Sequence, residues 1–284
     1  MKRYVINLDW AVERLTSAKE QFQKNGLDFI RVSAIDGHNL PSKIKEIMQE
    51  PRRLKKEALA FLGVDSTSYE GILQNIGYPI LNAGDVACFF SHRECLRLIA
   101  EGSDPYGAVF EDDLYLSENA HLFLKDYSWI KSDVDMIKLD AAIALPKVLL
   151  SESIEDLGHG YQLRDFLCSQ TGGAGYIISR SLAKKLYDFM DYPVVYVDDF
   201  YYSCEIGVKE KIKVYQLFPA IIQHGYKHGS LLKYFRDQTR ISRRPKTYWG
   251  LAKRELRYVM RRERILERLK YFGRYAYYGK IPFK

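Results

Sequence analysis

Apolar and polar positions alternate along the first third of the chain in blocks whose period switches between strand and helix. Residues 3–9, Arg-Tyr-Val-Ile-Asn-Leu-Asp, read as a buried strand. A helix is predicted from about Trp10 to Asn25, with Asp9 as its N-cap and Gly26 as its stop. On it Leu15, Ala18 and Phe22 share one face. Residues 29–36 form the next strand, so strand, helix and strand make a βαβ unit, the signature of a parallel sheet in an α/β domain.

Residues 41–80 break this rhythm with Pro41, Pro51 and Pro79 and one short amphipathic helix, Arg-Arg-Leu-Lys-Lys-Glu-Ala-Leu-Ala-Phe-Leu-Gly. They are expected to form an inserted helical excursion able to act as a lid. Gly84 then opens a helix that buries Phe89, Leu96 and Ile99 and stops at Gly102. Further strands are predicted at 106–110, 135–141 and 173–179, the last running through Arg180 into a helix that ends near Met190. Residues 214–225 supply a final strand pair.

A hydrophobic content of 47% excludes disorder as the state of this 284-residue chain. No stretch approaches the roughly 18 consecutive apolar residues of a membrane span, and the opening Met-Lys-Arg-Tyr-Val-Ile-Asn is too soon interrupted for a secretory signal. Cys88, Cys95, Cys168 and Cys204 form no C-x-x-C pair and read as reduced thiols of a cytoplasmic protein. Charge is more informative. From His224 to the end there are 7 Lys and 11 Arg against 4 acids, a surplus of 14, so with a total of +7 the preceding 223 residues carry −7. Within that basic region Leu251, Tyr258, Ile265, Leu269 and Phe272 fall on one helical face and arginines such as Arg254, Arg261 and Arg268 on the rest. A basic amphipathic helix of this kind suits an anionic membrane surface, and its apolar stripe would equally serve a homodimer. A nucleic acid is a poorer partner, because it leaves the acids of the body without a role.

The sharpest chemical feature is Glu111-Asp112-Asp113, directly after the apolar strand that ends in Val109 and Phe110. Strand alternation sends Glu111 and Asp113 to one side and Asp112 to the other. Two carboxylates converging at the carboxyl edge of a parallel sheet suit a hard cation, Mg²⁺ or Mn²⁺, and that edge is where open α/β sheets bind ligands. Neither G-x-G-x-x-G after the first strand nor G-x-x-x-x-G-K-[ST] occurs, so a diphosphate bound here calls for a metal.

Seven segments, Val-Ile-Asn-Leu-Asp-Trp-Ala-Val-Glu-Arg-Leu at 5–15, Ala-Ile-Asp-Gly at 34–37, Gly-Asp-Val-Ala-Cys-Phe-Phe-Ser-His at 84–92, Val-Phe-Glu-Asp-Asp at 109–113, Ile-Lys-Leu-Asp at 137–140, the run from Gly173 to Leu186 and Val-Asp-Asp-Phe at 197–200, stand in the order found in glycosyltransferase family 25. The chain resembles that family over about residues 3–225. The family includes bacterial lipopolysaccharide and lipooligosaccharide glycosyltransferases and is similar to the collagen galactosyltransferases. The resemblance implies a GT-A type α/β fold with a Rossmann-like, mostly parallel sheet over residues 1–225 and a basic helical extension over 226–284. It also implies a UDP-sugar donor such as UDP-galactose, with glucose as the alternative, inversion at the anomeric carbon, and Mn²⁺ or Mg²⁺ as cofactor. The acceptor would be a lipid-linked oligosaccharide of a lipooligosaccharide or lipopolysaccharide core, reached from the cytoplasmic face of the membrane.

By position in the motifs, Asp113 and Glu111 become metal ligands with His224 completing the set, and Glu111 also comes near the donor ribose. Asn7, Asp9, Arg14, Asp36, Gly84, Ser91 and His92 become donor-binding residues. Ala87 and Phe90 depart from the family's usual Gly and Leu, which leaves less room for backbone approach to the donor. Asp198 matches the position of the base, with Asp140 and Asp199 in reserve; capping of the following helix is the structural alternative for Asp198. Gly172, Gly173 and Gly175 would let the backbone approach a sugar.

Overall fold

A computed structural model describes residues 1–50, 53–75, 77–141, 148–224 and 275–284. The chain opens with β1 (Lys2–Asn7), α1 (Val12–Lys24) and β2 (Ile30–Ser33), the two strands pairing in parallel as a βαβ unit must. Helices α2 (Ser42–Gln49), α3 (Lys56–Leu62) and α4 (Ser66–Asn75) follow, then the long α5 (Ala83–Ala100). Next come β3 (Tyr106–Glu111), β4 (Leu114–Leu116), α6 (His121–Leu124), β5 (Met136–Lys138), β6 (Val148–Gly158), β7 (Tyr161–Phe166) and β8 (Gly175–Ser179). The chain closes with α7 (Arg180–Phe189), α8 (Val197–Tyr202), β9 (Val214–Phe218), β10 (Ile222–His224) and β11 (Tyr275–Gly279).

Among the described residues nine strands form one sheet, in the order β11-β6-β7-β9-β5-β8-β3-β1-β2. Six of the nine run in one direction, with β8, β7 and β11 opposed. Alternation along the central strands feeds two cores. Tyr4, Ile6, Val109, Met136, Tyr176 and Ile178 face α5 and α7. Val5, Ala108, Phe110, Ile137 and Ile177 face α1 and α6.

Several expectations are corrected. Asp9 does not cap α1, whose N-cap is Ala11 with no side-chain bond; Asp9 instead pairs with Arg31 and accepts from Ser33 Oγ at 2.8 Å, both from the neighbouring strand β2. The buried stripe of α1 is Arg14, Ala18 and Phe22, with Leu15 half-buried, because the Arg14 guanidinium has a carboxylate partner under the helix. Helix α5 begins one residue before Gly84, where Asn82 and Asp85 form a reciprocal capping box. Residues 41–80 make three helices, not one. They are packed rather than loose, since Ile44, Ala58, Leu59, Tyr69 and Leu73 belong to the main core.

The predicted final strand pair is divided between sheets: β9 joins the large sheet and β10 pairs antiparallel with β4. The hairpin β6–β7 has no counterpart among the strands expected from sequence. In the basic extension, β11 adds an antiparallel edge strand to β6, and Lys284 N–H donates to the Ala220 carbonyl. The end of the chain is thus part of the large sheet, and the amphipathic run from Leu251 to Phe272 lies outside the described residues.

Candidate active site

The parallel strands β1, β2 and β3 end at one edge of the sheet, and the residues just beyond them line an open cleft of about 100 Å³. Ala34, Ile35 and Gly37 form one wall and Gly84, Ala87, Cys88, Ser91 and His92 of α5 another. Glu111, Asp112 and Asp113 lie between them with Arg14. Two glycines let the walls approach closely: a Cβ on Gly37 would stand 2.9 Å from both N and Cα of Gly84.

Strand alternation holds through the acid triplet. Asp112 turns under α1, where it accepts from Asn7 Nδ2 at 2.7 Å and Arg14 at 2.9 Å. Glu111 and Asp113 turn to the other side, where a carboxylate oxygen of each and a ring nitrogen of His224 lie within 4.8 Å of one another. Arg14 also stands 3.7 Å from Asp113. Burial alone would raise Glu111, but His92, His224 and Arg14 outweigh it and hold the carboxyl below its ordinary range. Asp113 goes the other way: burial, then the charge of Glu111, push it up to about 6.

Strand β5 delivers a second buried charge to the same edge. Lys138 and Asp140 are both fully buried. Lys138 Nζ donates to Asp140 Oδ1 at 2.5 Å and to the Gly172 carbonyl at 2.7 Å. Gly172, at φ +90, lies close against Asp140, since a Cβ there would meet Asp140 Oδ2 at 2.8 Å. Its N–H donates to Asp198 Oδ2 at 2.8 Å. Asp198 therefore does not cap α8, whose N-cap is Tyr196; it faces the glycine loop that crosses the site. Asp199 accepts from the Tyr78 hydroxyl at 2.5 Å.

Fit to a divalent ion can be judged from the donors. Asp113 Oδ1 and Asp140 Oδ2 are buried and without a hydrogen-bond partner among the described residues. Each stands 3.8 Å from a different nitrogen of His224. Oxygen-rich donors of this kind, left unsatisfied around one imidazole, fit a hard or borderline cation.

The other sequence-predicted residues divide. Ser91 Oγ accepts from Ile35 N–H at 2.9 Å and donates to the Ala87 carbonyl at 2.7 Å, tying α5 to the cleft wall. Asn7 is spent on Asp112, the Ala11 carbonyl and Arg31. Asp9 and Asp36 are not in the cleft lining; Asp36 accepts from Trp10 Nε1 at 3.1 Å. His92 is fully buried, with Nδ1 3.0 Å from the Tyr176 hydroxyl and Nε2 3.4 Å from Glu111. Lys138 and Tyr78, which bond the two reserve carboxylates Asp140 and Asp199, are partners that sequence reasoning misses. A lysine two residues before an aspartate in an apolar strand, on one face with it, is the available signal for the first.

The site is thus an acidic cleft at the carboxyl edge of an α/β sheet, the edge where such sheets bind ligands, with His92 and His224 beside the acids. The chain belongs to glycosyltransferase family 25 (LPS biosynthesis protein), whose model matches residues 1–201. Among its relatives is the lacto-N-neotetraose biosynthesis glycosyltransferase LgtE of Neisseria gonorrhoeae, 29% identical over 303 residues, covering 96% of this chain and 98% of the relative. The lipooligosaccharide biosynthesis protein lex-1 of Haemophilus influenzae is 32% identical over 163 residues, or 53% of this chain and 52% of that one. A lacto-N-neotetraose biosynthesis glycosyltransferase LgtB of Neisseria meningitidis is 29% identical over 196 residues, with coverage of 67% and 60%. Among the described residues no helix is long and apolar enough to cross a membrane.

Proposed function

We propose that this family 25 glycosyltransferase moves a hexose, galactose in the first instance, from a UDP-sugar to a lipooligosaccharide core acceptor with inversion and with Mn²⁺ or Mg²⁺ as cofactor. The observation that carries the reading is the pair of orphaned carboxylate oxygens, on Asp113 and Asp140, flanking His224 at the cleft edge. Glu111, Asp113 and His224 would hold the ion, which when bound neutralises the diphosphate and makes it a better leaving group.

The remaining roles fall to the chain. Asn7 and Arg14 fix Asp112 and with it the turn that aims its neighbours. An inverting transfer needs one carboxylate to take the acceptor hydroxyl's proton as the new C1 bond forms opposite the departing diphosphate. Asp198 suits this role, because it is half-buried and the Gly172 N–H holds one of its oxygens in a set orientation. The reserves are otherwise engaged, Asp140 by Lys138 and Asp199 by Tyr78.

A panel of UDP-sugars with and without Mn²⁺, read by donor hydrolysis and thermal shift, tests the reading. UDP-galactose should give the largest response, Asp113→Ala should abolish the metal response, and Asp198→Ala should keep donor binding while stopping transfer. Absence of any UDP-sugar response in the unmodified protein would sink the enzymatic reading, and loss of donor binding in Asp198→Ala would remove that residue from the base role.

The surplus positive charge beyond residue 224 favours a location at the anionic cytoplasmic membrane face, each Lys or Arg near such a surface contributing about 1 kcal/mol. Because β11 belongs to the sheet, substitution tests this better than truncation: Arg254, Arg257, Arg261 and Arg262 changed to Gln should release the protein from anionic vesicles. Unchanged sedimentation with vesicles together with a dimer in light scattering would assign the apolar stripe to a second copy instead.

A further inference from the structure

Helix α5 places Cys88 and His92 four residues apart on one face. Both line the cleft beside Glu111, and Cys88 Sγ, a His92 nitrogen and a Glu111 oxygen lie within 4.8 Å of one another. This group shares only Glu111 with the Glu111–Asp113–His224 set, and it contains sulfur.

The ring proton of His92 can be placed by following the hydrogen bonds outward. Tyr201 donates its hydroxyl to Met190 Sδ at 3.8 Å, where sulfur can only accept. Its oxygen is left to accept from the Tyr176 hydroxyl at 3.3 Å, so the Tyr176 oxygen accepts from His92 Nδ1–H at 3.0 Å. With Nδ1 so engaged, Nε2 faces Glu111 Oε1 3.4 Å away, where a proton on Nε2 pairs with the carboxylate and a cation in the proton's place would take both atoms as ligands. That Nε2 is fully buried and has no hydrogen-bond partner among the described residues. A buried lone pair facing a carboxylate is unfavourable unless a proton or a cation stands between them.

We propose that Cys88, His92 and Glu111 form a site for a soft divalent cation, Zn²⁺, adjoining the oxygen-rich site. On binding, the Cys88 thiol gives up its proton to solvent; the thiolate and the carboxylate together cancel the double charge, which suits a buried location. Tetrahedral zinc, with bonds of about 2.0–2.3 Å, spaces its ligands by about 3.3–3.7 Å, and the His92–Glu111 separation already matches. The fourth position opens to the cleft, as in zinc sites that retain a water. The Tyr176 hydroxyl supplies the outer contact that fixes the imidazole tautomer. Glu111 is common to both sites, and two divalent ions brought together on one carboxylate repel each other, so zinc competes with the hard ion and inhibits hexosyl transfer; this last consequence alone rests on the function proposed above.

Titration of the full-length protein with Co²⁺, followed by absorption, tests the site. A thiolate-to-cobalt charge-transfer band, displaced by Zn²⁺, is expected in the unmodified protein and in Asp113→Asn and is lost in Cys88→Ser. Tyr176→Phe and His92→Gln provide independent variants, the former weakening Co²⁺ binding roughly 10–100-fold. Cobalt binding without a thiolate band, or a band that survives Cys88→Ser, would overturn the proposal. A thiolate band in a protein that shows no response to Mn²⁺ and UDP-galactose would leave the zinc site standing and remove the transferase reading.

Discussion

Replacing Lys138 with methionine keeps an unbranched side chain one atom shorter and removes its charge from a fully buried pair. The Asp140 carboxylate is then left without a cation on Oδ1, and the Gly172 carbonyl loses its donor. Breaking a buried ion pair by deleting one partner costs about 3–5 kcal/mol, a fifth or more of a stability of about 5–15 kcal/mol. For a chain of 284 residues, with an unfolding entropy of about 2.1 cal/mol/K per residue, that corresponds to a fall in Tm of roughly 5–8 °C. Neutralising the partner as well, in Lys138→Met with Asp140→Asn, removes the stranded charge and leaves mainly the orphaned Gly172 carbonyl, about 1–3 kcal/mol. Urea unfolding of the metal-free protein, followed by circular dichroism, reads all three chains. A single variant that costs less than about 1 kcal/mol, or a double variant no more stable than the single, would show that the pair is not what holds the glycine loop.

Three further outcomes rest on the same geometry. Asp113, raised to about 6, holds its proton in the fold where the unfolded chain has lost it. Metal-free stability should therefore fall as pH rises from about 4 to 6, and Mn²⁺ affinity should rise through the same window because the ion displaces that proton; a flat calorimetric profile would contradict this. Gly172→Ala puts a Cβ at positive φ and 2.8 Å from Asp140 Oδ2, so a cost of about 1–3 kcal/mol and a weakened metal response are expected, and unchanged melting and titration curves would refute it. Tyr78→Phe removes a charge-assisted bond to Asp199 worth about 1.5–3 kcal/mol. Hydrogen exchange should accelerate in α4 relative to α5, and equal protection in both variants would refute that role for the tyrosine.

Whatever depends on neighbours along the chain is legible in the sequence. Tyr4 to Ile6 and Val109 to Phe110 announce buried strands by composition, and the acid triplet inherits its two-sided geometry from the strand before it. Partners from distant segments are invisible there. Asp9 has the right chemistry for a cap, yet Arg31 and Ser33, brought alongside by parallel pairing, compete for it and win. Arg14, expected by its motif position to meet the donor, is found with its guanidinium on Asp112, which lies beneath the helix. The β6–β7 hairpin hides behind Ser-Glu-Ser-Ile-Glu-Asp, too charged for a core strand; its signal is the turn at Gly158, His159 and Gly160, all at positive φ. Strand β11 follows a long basic run whose charge masks its β-prone tyrosines.

Glu111 shows how one backbone position comes to control two chemistries. Its place is fixed by main-chain pairing, opposite Ile6 on one side and with its N–H donating to the Ala174 carbonyl at 3.0 Å on the other. Only the side chain is then free to choose. On one side His92 and Cys88 offer nitrogen and sulfur, and on the other His224 and Asp113 offer nitrogen and oxygen. With the carboxylate common to both, selection between a soft and a hard ion rests on the partner atom, thiol against carboxyl. Exchanging Cys88 for Ser should therefore abolish the soft-ion preference and leave the oxygen-rich ligand set intact.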